Sequence, residues 1–146
     1  MNGLLLVTLA DDLLTSAVAV LSNPPSRRFI AHGDFALDCE MVAVHVLDAS
    51  VSDTDPAQCA AIDTITFGVT ISRCYIAATG DAPVPAASGI GADSYTILHD
   101  LGQLIGGLGD RWVAGTLFPS VAGIGCGQVS WPSVVALGPS GGYAGW

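Results

Sequence analysis

The chain contains no lysine, and its four basic residues are all arginines. Thirteen acidic residues against these four give a formal net charge of −9 at pH 7. A surface of this sign repels phosphate, whereas affinity for nucleic acid depends on lysine and arginine contacts to the sugar–phosphate backbone. The composition therefore argues against a protein that binds nucleic acid specifically.

Closely spaced metal ligands are also lacking. Structural zinc sites favour ligand pairs separated by about two to four residues, and no two cysteines of this chain have that spacing. We therefore expect no metal, and we interpret the histidines as packed or surface residues. The cysteines and histidines are Cys39, Cys59, Cys74, Cys126, His32, His45 and His99.

Motifs of nucleophilic catalysis and phosphate binding are missing as well. No serine lies in a Gly-x-Ser-x-Gly elbow, and no helix with a lysine follows the glycines at 123, 125 and 127. Asp34, Asp38 and Glu40 are the best candidates for a catalytic carboxylate pair. Because they lead into a strand of an acidic chain, we interpret them as solvated side chains. The sequence predicts neither an enzyme nor a cofactor.

A hydrophobic run covers residues 4–21. Asp11 and Asp12 lie in its middle and no positive residue precedes it, so neither a membrane span nor a signal peptide fits. We predict an amphipathic helix over 4–21, with both aspartates and Thr15 turned away from the apolar stripe. The stripe consists of Leu5, Leu6, Leu9, Leu13 and Val20.

The pattern over residues 38–76 predicts a β-hairpin. Residues 39–47 and 65–75 alternate as half-buried strands do, and the valines of the first strand suit a pleated surface. Residues 50–60 are rich in turn formers and are predicted to be a long loop. One face of the second strand is predicted to carry Ile65, Phe67, Val69, Ile71, Arg73 and Tyr75.

The hairpin pattern brings two cysteines together. If the strands fold symmetrically about Pro56, Cys39 lies opposite Cys74 and the pair is close enough for a disulfide. Two buried free thiols are the alternative, because cysteine is often buried without a partner. A bridge between Cys59 and Cys126 requires the loop to fold back.

A second helix is predicted over residues 93–108, after a segment rich in proline and glycine. Asp93 or Ser94 caps its first turn. Its glycines weaken it by about 1 kcal/mol each relative to alanine, so packing against the sheet must stabilise it. The sequence does not fix the residue at which this helix ends. The predicted apolar stripe is Tyr95, Leu98, Leu101, Ile105, Leu108 and Trp112.

Short strands are predicted over residues 126–146, with Pro132 at an edge and a tight turn from Gly138 to Gly142. That turn directs Tyr143 and Trp146 outward. With Trp131, these aromatic residues are candidates for subunit contacts, where aromatics are enriched. Arg27 and Arg28 are expected to lie in a solvated turn or at a subunit contact.

Three motifs resemble proteins of the tailed-phage neck, of the tail-terminator and head-to-tail connector types. They are Asp34-Phe-Ala-Leu-Asp-Cys-Glu40, Ser72-Arg-Cys-Tyr75 and Gly138-Pro-Ser-Gly-Gly-Tyr-Ala-Gly-Trp146. The resemblance extends over residues 33–146. It implies an α+β subunit with a small, mostly antiparallel sheet packed by two helices. Such subunits assemble as a ring, commonly of six copies.

The same resemblance implies a structural role in the virion, assembled in the host cytoplasm. A terminator ring ends tail-tube polymerisation and meets the head-completion proteins, while the genome passes through its lumen. The close alternative is a head-to-tail stopper or connector of the same neck. A small binding domain stapled by disulfides is the alternative from another class. All fit a single domain of 146 residues with no membrane partner.

Overall fold

The computed structural model describes residues 3–33, 35–52, 61–74, 87–121, 135, 137–140 and 143–145. Within these residues, two helices and five strands form an α+β fold, which confirms the predicted fold class. In chain order the elements are α1 (Gly3–Val20), β1 (Arg27–Ala31), β2 (Met41–Ser52), β3 (Ala61–Cys74), α2 (Ala87–Val113), β4 (Leu137–Ser140) and β5 (Tyr143–Gly145).

The strands form one sheet in the order β1-β2-β3-β5-β4. Only β1 and β2 run parallel, so the sheet is mostly antiparallel, as predicted. Strand β1 itself was not predicted. Arg27 and Arg28, assigned to a turn or a subunit contact, are its first two residues and pair with Met41 and Val42. The turn assignment was wrong because charged residues are compatible with an edge strand.

The β2–β3 hairpin follows the predicted register. Met41 pairs with Ser72, Val44 with Val69 and Ser52 with Ala61, all symmetric about Pro56. The strands are longer than predicted, however, because β2 continues through Ser52. Register shifts after Val46 and after Ser50 add unpaired residues and interrupt the ladder without ending it. Residues 53–60 lie outside the described part.

The core lies between the helices and the face of the hairpin that carries Val42, Val44 and Ile71. Small residues of α1 allow close packing, since Ala17 is fully buried. The backbone of α2 also approaches α1 closely, because a Cβ added at Gly107 would lie 2.6 Å from Val20 Cβ. The buried cluster is Ala10, Leu13, Ala17, Leu21, Val42, Val44, Ile71, Leu104, Leu108 and Leu117.

Helix α2 extends beyond the predicted 93–108 at both ends, and the predicted stripe is mostly not the buried one. Tyr95, Leu98 and Ile105 are 71%, 60% and 40% exposed. The buried positions are Ile97, Asp100, Leu104 and Leu108. Both sets recur at helical spacing, and the core takes the set that includes an aspartate, because that aspartate has a buried cation as its partner.

Helix α1 departs from its prediction at one position. Asp12, expected to face solvent with Asp11, is only 6% exposed. The Ser120 backbone N–H and hydroxyl donate to its two oxygens at 2.9 and 2.8 Å. Ser16, one turn later, donates to the Leu117 carbonyl at 3.1 Å. The polar side of α1 therefore binds the segment that follows α2.

The C-terminal strands complete the sheet. Strand β5 pairs with β3, where Cys74 lies opposite Tyr143, and with β4. Residues 138–140, predicted to begin a turn, belong to β4, in which Leu137 and Ser140 pair with Gly145 and Tyr143 of β5. Residues 141 and 142 and the predicted strand over 126–134 lie outside the described part.

Candidate functional site

The strongest polar cluster surrounds Arg73 at the end of β3. Its side chain is 6% exposed and forms a two-point ion pair with Asp100 of α2, which is 3% exposed. Arg73 Nε donates to Asp100 Oδ2 at 2.7 Å, and Nη2 donates to Oδ1 at 3.2 Å. Nη1 donates to Glu40 Oε2 at 3.0 Å, and Nη2 also donates to the Asn23 carbonyl at 2.5 Å. One guanidinium thus joins the segments around α1, β2, β3 and α2.

Glu40 is held in this cluster by an unusual backbone. Its φ of 56° lies in the left-handed region, which is uncommon for a residue other than glycine. This conformation lets its carbonyl accept from the Arg27 N–H at 3.2 Å while its carboxylate reaches Arg73. The second carboxylate oxygen accepts from the Cys74 N–H at 3.4 Å. Glu40 therefore keeps much of the exposure that the sequence suggested, with 43% of its side chain accessible, but both of its carboxylate oxygens bind partners within the chain.

A disulfide joins Cys39 to Cys74 beside this ion cluster, with a Cα–Cα distance of 4.5 Å. These are the two cysteines that the hairpin register places opposite each other. Cys59 and Cys126 lie outside the described residues. The disulfide and the Glu40–Arg73 ion pair join neighbouring positions of the two strands. Two adjacent contacts therefore hold the strands together at the end of the hairpin away from the loop.

The electrostatics of the cluster favour permanent charge. Burial lowers the pKa of the Arg73 guanidinium, but the hydrogen bonds and negative charges of Asp100 and Glu40 outweigh this, and the pKa lies above its ordinary value. An arginine in this state neither accepts nor releases a proton near neutral pH. The cluster suits a structural tie rather than acid–base chemistry.

The remaining predicted site residues are dispersed. Arg27 forms an ion pair with Asp38 in which both side chains are more than half exposed, while Arg28 donates from Nε to the Pro25 carbonyl at 3.1 Å. Tyr143 contributes backbone to β5. Asp34, Trp131 and Trp146 lie outside the described residues. The described part does not bring the interface candidates together.

The opposite face of the sheet carries an aromatic group around His45. The Phe35 ring packs edge-on against the His45 ring with centroids 5.2 Å apart, and Phe29 packs against Phe35 at 5.4 Å. Gly68, paired with His45, leaves room for the imidazole, since an added Cβ would lie 2.2 Å from Nε2. Within the described ranges, no three potential ligands are grouped as a metal site requires.

Two surfaces remain exposed. Residues 47–50 of β2 are exposed, so this end of the hairpin extends beyond the packed body. The second surface is the outer face of α2, which we define as Tyr95, Leu98, Gly102, Ile105, Gly106, Gly109 and Val113. Among the described residues, no helix is long and apolar enough to cross a membrane.

Sequence reasoning found Cys39 and Cys74 but missed the Arg73–Asp100 pair. The available signal was Arg73 itself, which alternates with Phe67, Val69 and Ile71 on the apolar face. A charged residue on such a face requires a buried partner of opposite sign.

Searches of this chain against protein-family models, curated proteins and solved structures give no match.

Proposed function

We propose that this protein is a structural subunit of a tailed-phage neck, a tail terminator that forms a ring, commonly of six copies. It ends polymerisation of the tail tube and joins the tail to the head-completion proteins. The motifs described above support this assignment. Its place is the virion, after assembly in the host cytoplasm.

The observation that carries the proposal is the exposed end of the β2–β3 hairpin. The strands are 12 and 14 residues long, yet among residues 41–50 of β2, whose burial is described, only Met41–Val44 are fully buried. Leu47 is 60% exposed at the point where the first bulge begins. An exposed two-stranded ribbon is marginal alone in water and gains stability by packing on a neighbour. A ring supplies that neighbour.

The polar side chains in the packed part of the protein support a role in protein–protein contact rather than in catalysis. Arg73, Asp100 and Asp12 all bind partners within the chain. The net charge of −9 suits a ring whose lumen lets DNA slide past, because like charges repel over a Debye length of about 8 Å at physiological salt.

The test is absolute mass by light scattering, with negative-stain imaging, on the purified protein with and without tail tubes. Rings, or tubes capped at one end, support the terminator. A protein that instead binds the portal-side connector and retains packaged DNA is the stopper.

The second candidate is a small binding domain stapled by disulfides, and the Cys39–Cys74 bridge favours it. A protein that stays monomeric and binds neither tail tubes nor connectors would support this candidate. It would also defeat the neck assignment.

A further inference from the structure

The outer face of α2 is apolar along most of the helix. Tyr95, Leu98, Ile105 and Val113 are 71%, 60%, 40% and 87% exposed. Between them lie Gly102, Gly106 and Gly109, where an added Cβ would meet nothing within 4 Å. Single exposed apolar residues are ordinary, but a continuous stripe of them marks a contact surface. The stripe runs from Tyr95 to Val113, so at 1.5 Å per residue it is about 27 Å long.

We propose that this face binds a second copy of itself, with the two α2 helices antiparallel across a two-fold axis at the level of Leu104 and Ile105. In that arrangement Gly102 of one copy lies beside Gly106 of the other. The glycines let the two helix backbones approach closely, as small residues do at other helix contacts. The Tyr95 ring then lies beside Val113 of the second copy.

A polar contact selects this arrangement, because an imidazole N–H can donate to a carboxylate. His99 and Asp110 are both exposed and lie on the same flank of the outer face. In the antiparallel pair, His99 of one copy is level with Asp110 of the other, and the two-fold axis repeats the contact. In a parallel pair, His99 of one copy would lie about 16 Å along the helix from Asp110 of the other, so neither contact would form. Antiparallel pairing therefore makes the surface self-complementary.

The other flank is apolar. Leu98 of one copy is level with Trp112 of the second, and Ile105 meets its own counterpart on the axis. The Tyr95 and His99 rings stack on each other at 6.0 Å between centroids, which fixes both side chains at the edge of the face. Large residues thus meet large residues at the edges, and glycines meet glycines at the centre.

This contact is separate from the contacts that close a ring. A ring needs heterologous surfaces, whereas the α2 contact is isologous and joins only two subunits or two rings. It therefore doubles the mass of whatever species the other surfaces form.

The experiment compares the mass of the full-length wild type with that of Gly102→Glu by light scattering over a range of concentrations. A charge at the centre of the contact should halve the mass. The Cβ of Gly102 meets open space in the subunit, so the fold has room for this change. The matched control is Thr96→Glu, which adds the same charge to an exposed position of α2 off the stripe and should keep the wild-type mass.

Charge exchange gives a second measurement. His99→Asp places an aspartate level with Asp110 at both symmetry-related contacts. The repulsion should weaken association at least tenfold. His99→Asp with Asp110→Lys places opposite charges at these contacts and should restore the wild-type mass. A wild type with the same mass as Gly102→Glu, or a double variant no better than His99→Asp alone, overturns the proposal.

Adding tail tubes separates this inference from the proposed function. If Gly102→Glu has half the wild-type mass and still caps tail tubes, the result supports both the α2 contact and the terminator function. If neither protein caps tubes, the neck function fails while the mass comparison still decides the α2 contact.

Discussion

Arg73 and Asp100 form a two-point ion pair whose side chains are 6% and 3% exposed, although they lie on different elements 27 residues apart. Removing one member of such a pair leaves an uncompensated buried charge. Replacing both with apolar groups avoids that cost. The pair therefore fixes the position of α2 relative to the sheet.

We predict that Arg73→Met lowers the free energy of unfolding by about 3–5 kcal/mol, because Asp100 then stays buried without its cation. Urea denaturation measures the loss. The double variant Arg73→Met with Asp100→Leu should recover a large part of it. Arg27→Met is the surface control and should cost about 1 kcal/mol or less, since exposed ion pairs contribute little. Equal losses for Arg73→Met and Arg27→Met would contradict the assigned role.

The Cys39–Cys74 bridge closes a loop with a sequence separation of 35 residues. Replacing both cysteines with serine should lower stability by about 4 kcal/mol, because the unfolded chain regains the freedom that the bridge removed. Reduced wild type should unfold at nearly the same urea concentration as the double serine variant. Peptide mapping without reductant that finds both thiols free would rule out the bridge.

Two glycines of α2 should respond in opposite directions. Gly109→Ala places its Cβ in open space and should stabilise the protein by about 1 kcal/mol through helix propensity. Gly107→Ala places its Cβ 2.6 Å from Val20 Cβ and should destabilise by about 1–3 kcal/mol through overpacking. Thermal unfolding compares the two variants. Combining Gly107→Ala with Val20→Ala should remove the clash, and a failure to recover would show that another contact is responsible.

Asp12 should be necessary to hold the segment after α2 against α1. Asp12→Ala removes both acceptors of Ser120 and should cost about 1–3 kcal/mol. Hydrogen exchange should show faster exchange of the Ser120 amide. Asp12→Asn keeps an acceptor for that amide and should show a smaller loss. Unchanged Ser120 exchange in Asp12→Ala would mean that the contact does not hold the segment.

The hairpin was predictable because two local signals agreed. Alternation placed Val69 and Ile71 on one face, and the turn formers around Pro56 fixed the midpoint, so the register and the Cys39–Cys74 pairing followed. Strand length was not predictable, because Ser50 and Ser52 are turn formers by residue type and yet pair with Thr64 and Ala61.

The buried polar contacts could not be read from helical spacing. Two apolar stripes run along α2, and the buried one includes Asp100 because Arg73 lies opposite it in the folded chain. Asp12 is buried for a similar reason, since Ser120 satisfies both of its oxygens. In each case the deciding partner is distant in sequence, and local pattern carries no information about it.

The contact between Asp12 and Ser120 spans 108 residues, and this separation sets an order of events during synthesis. Chains emerge from the ribosome N-terminus first, at about 5–20 residues per second. Helix α1 is therefore made well before Ser120, the residue that satisfies Asp12. Until then Asp12 lacks its native partner, whereas Val42, Val44 and Ile71, which pack on the apolar side of α1, have already been made. The polar side of α1 is thus completed later than its apolar side, and final closure of this fold follows synthesis of the segment after α2.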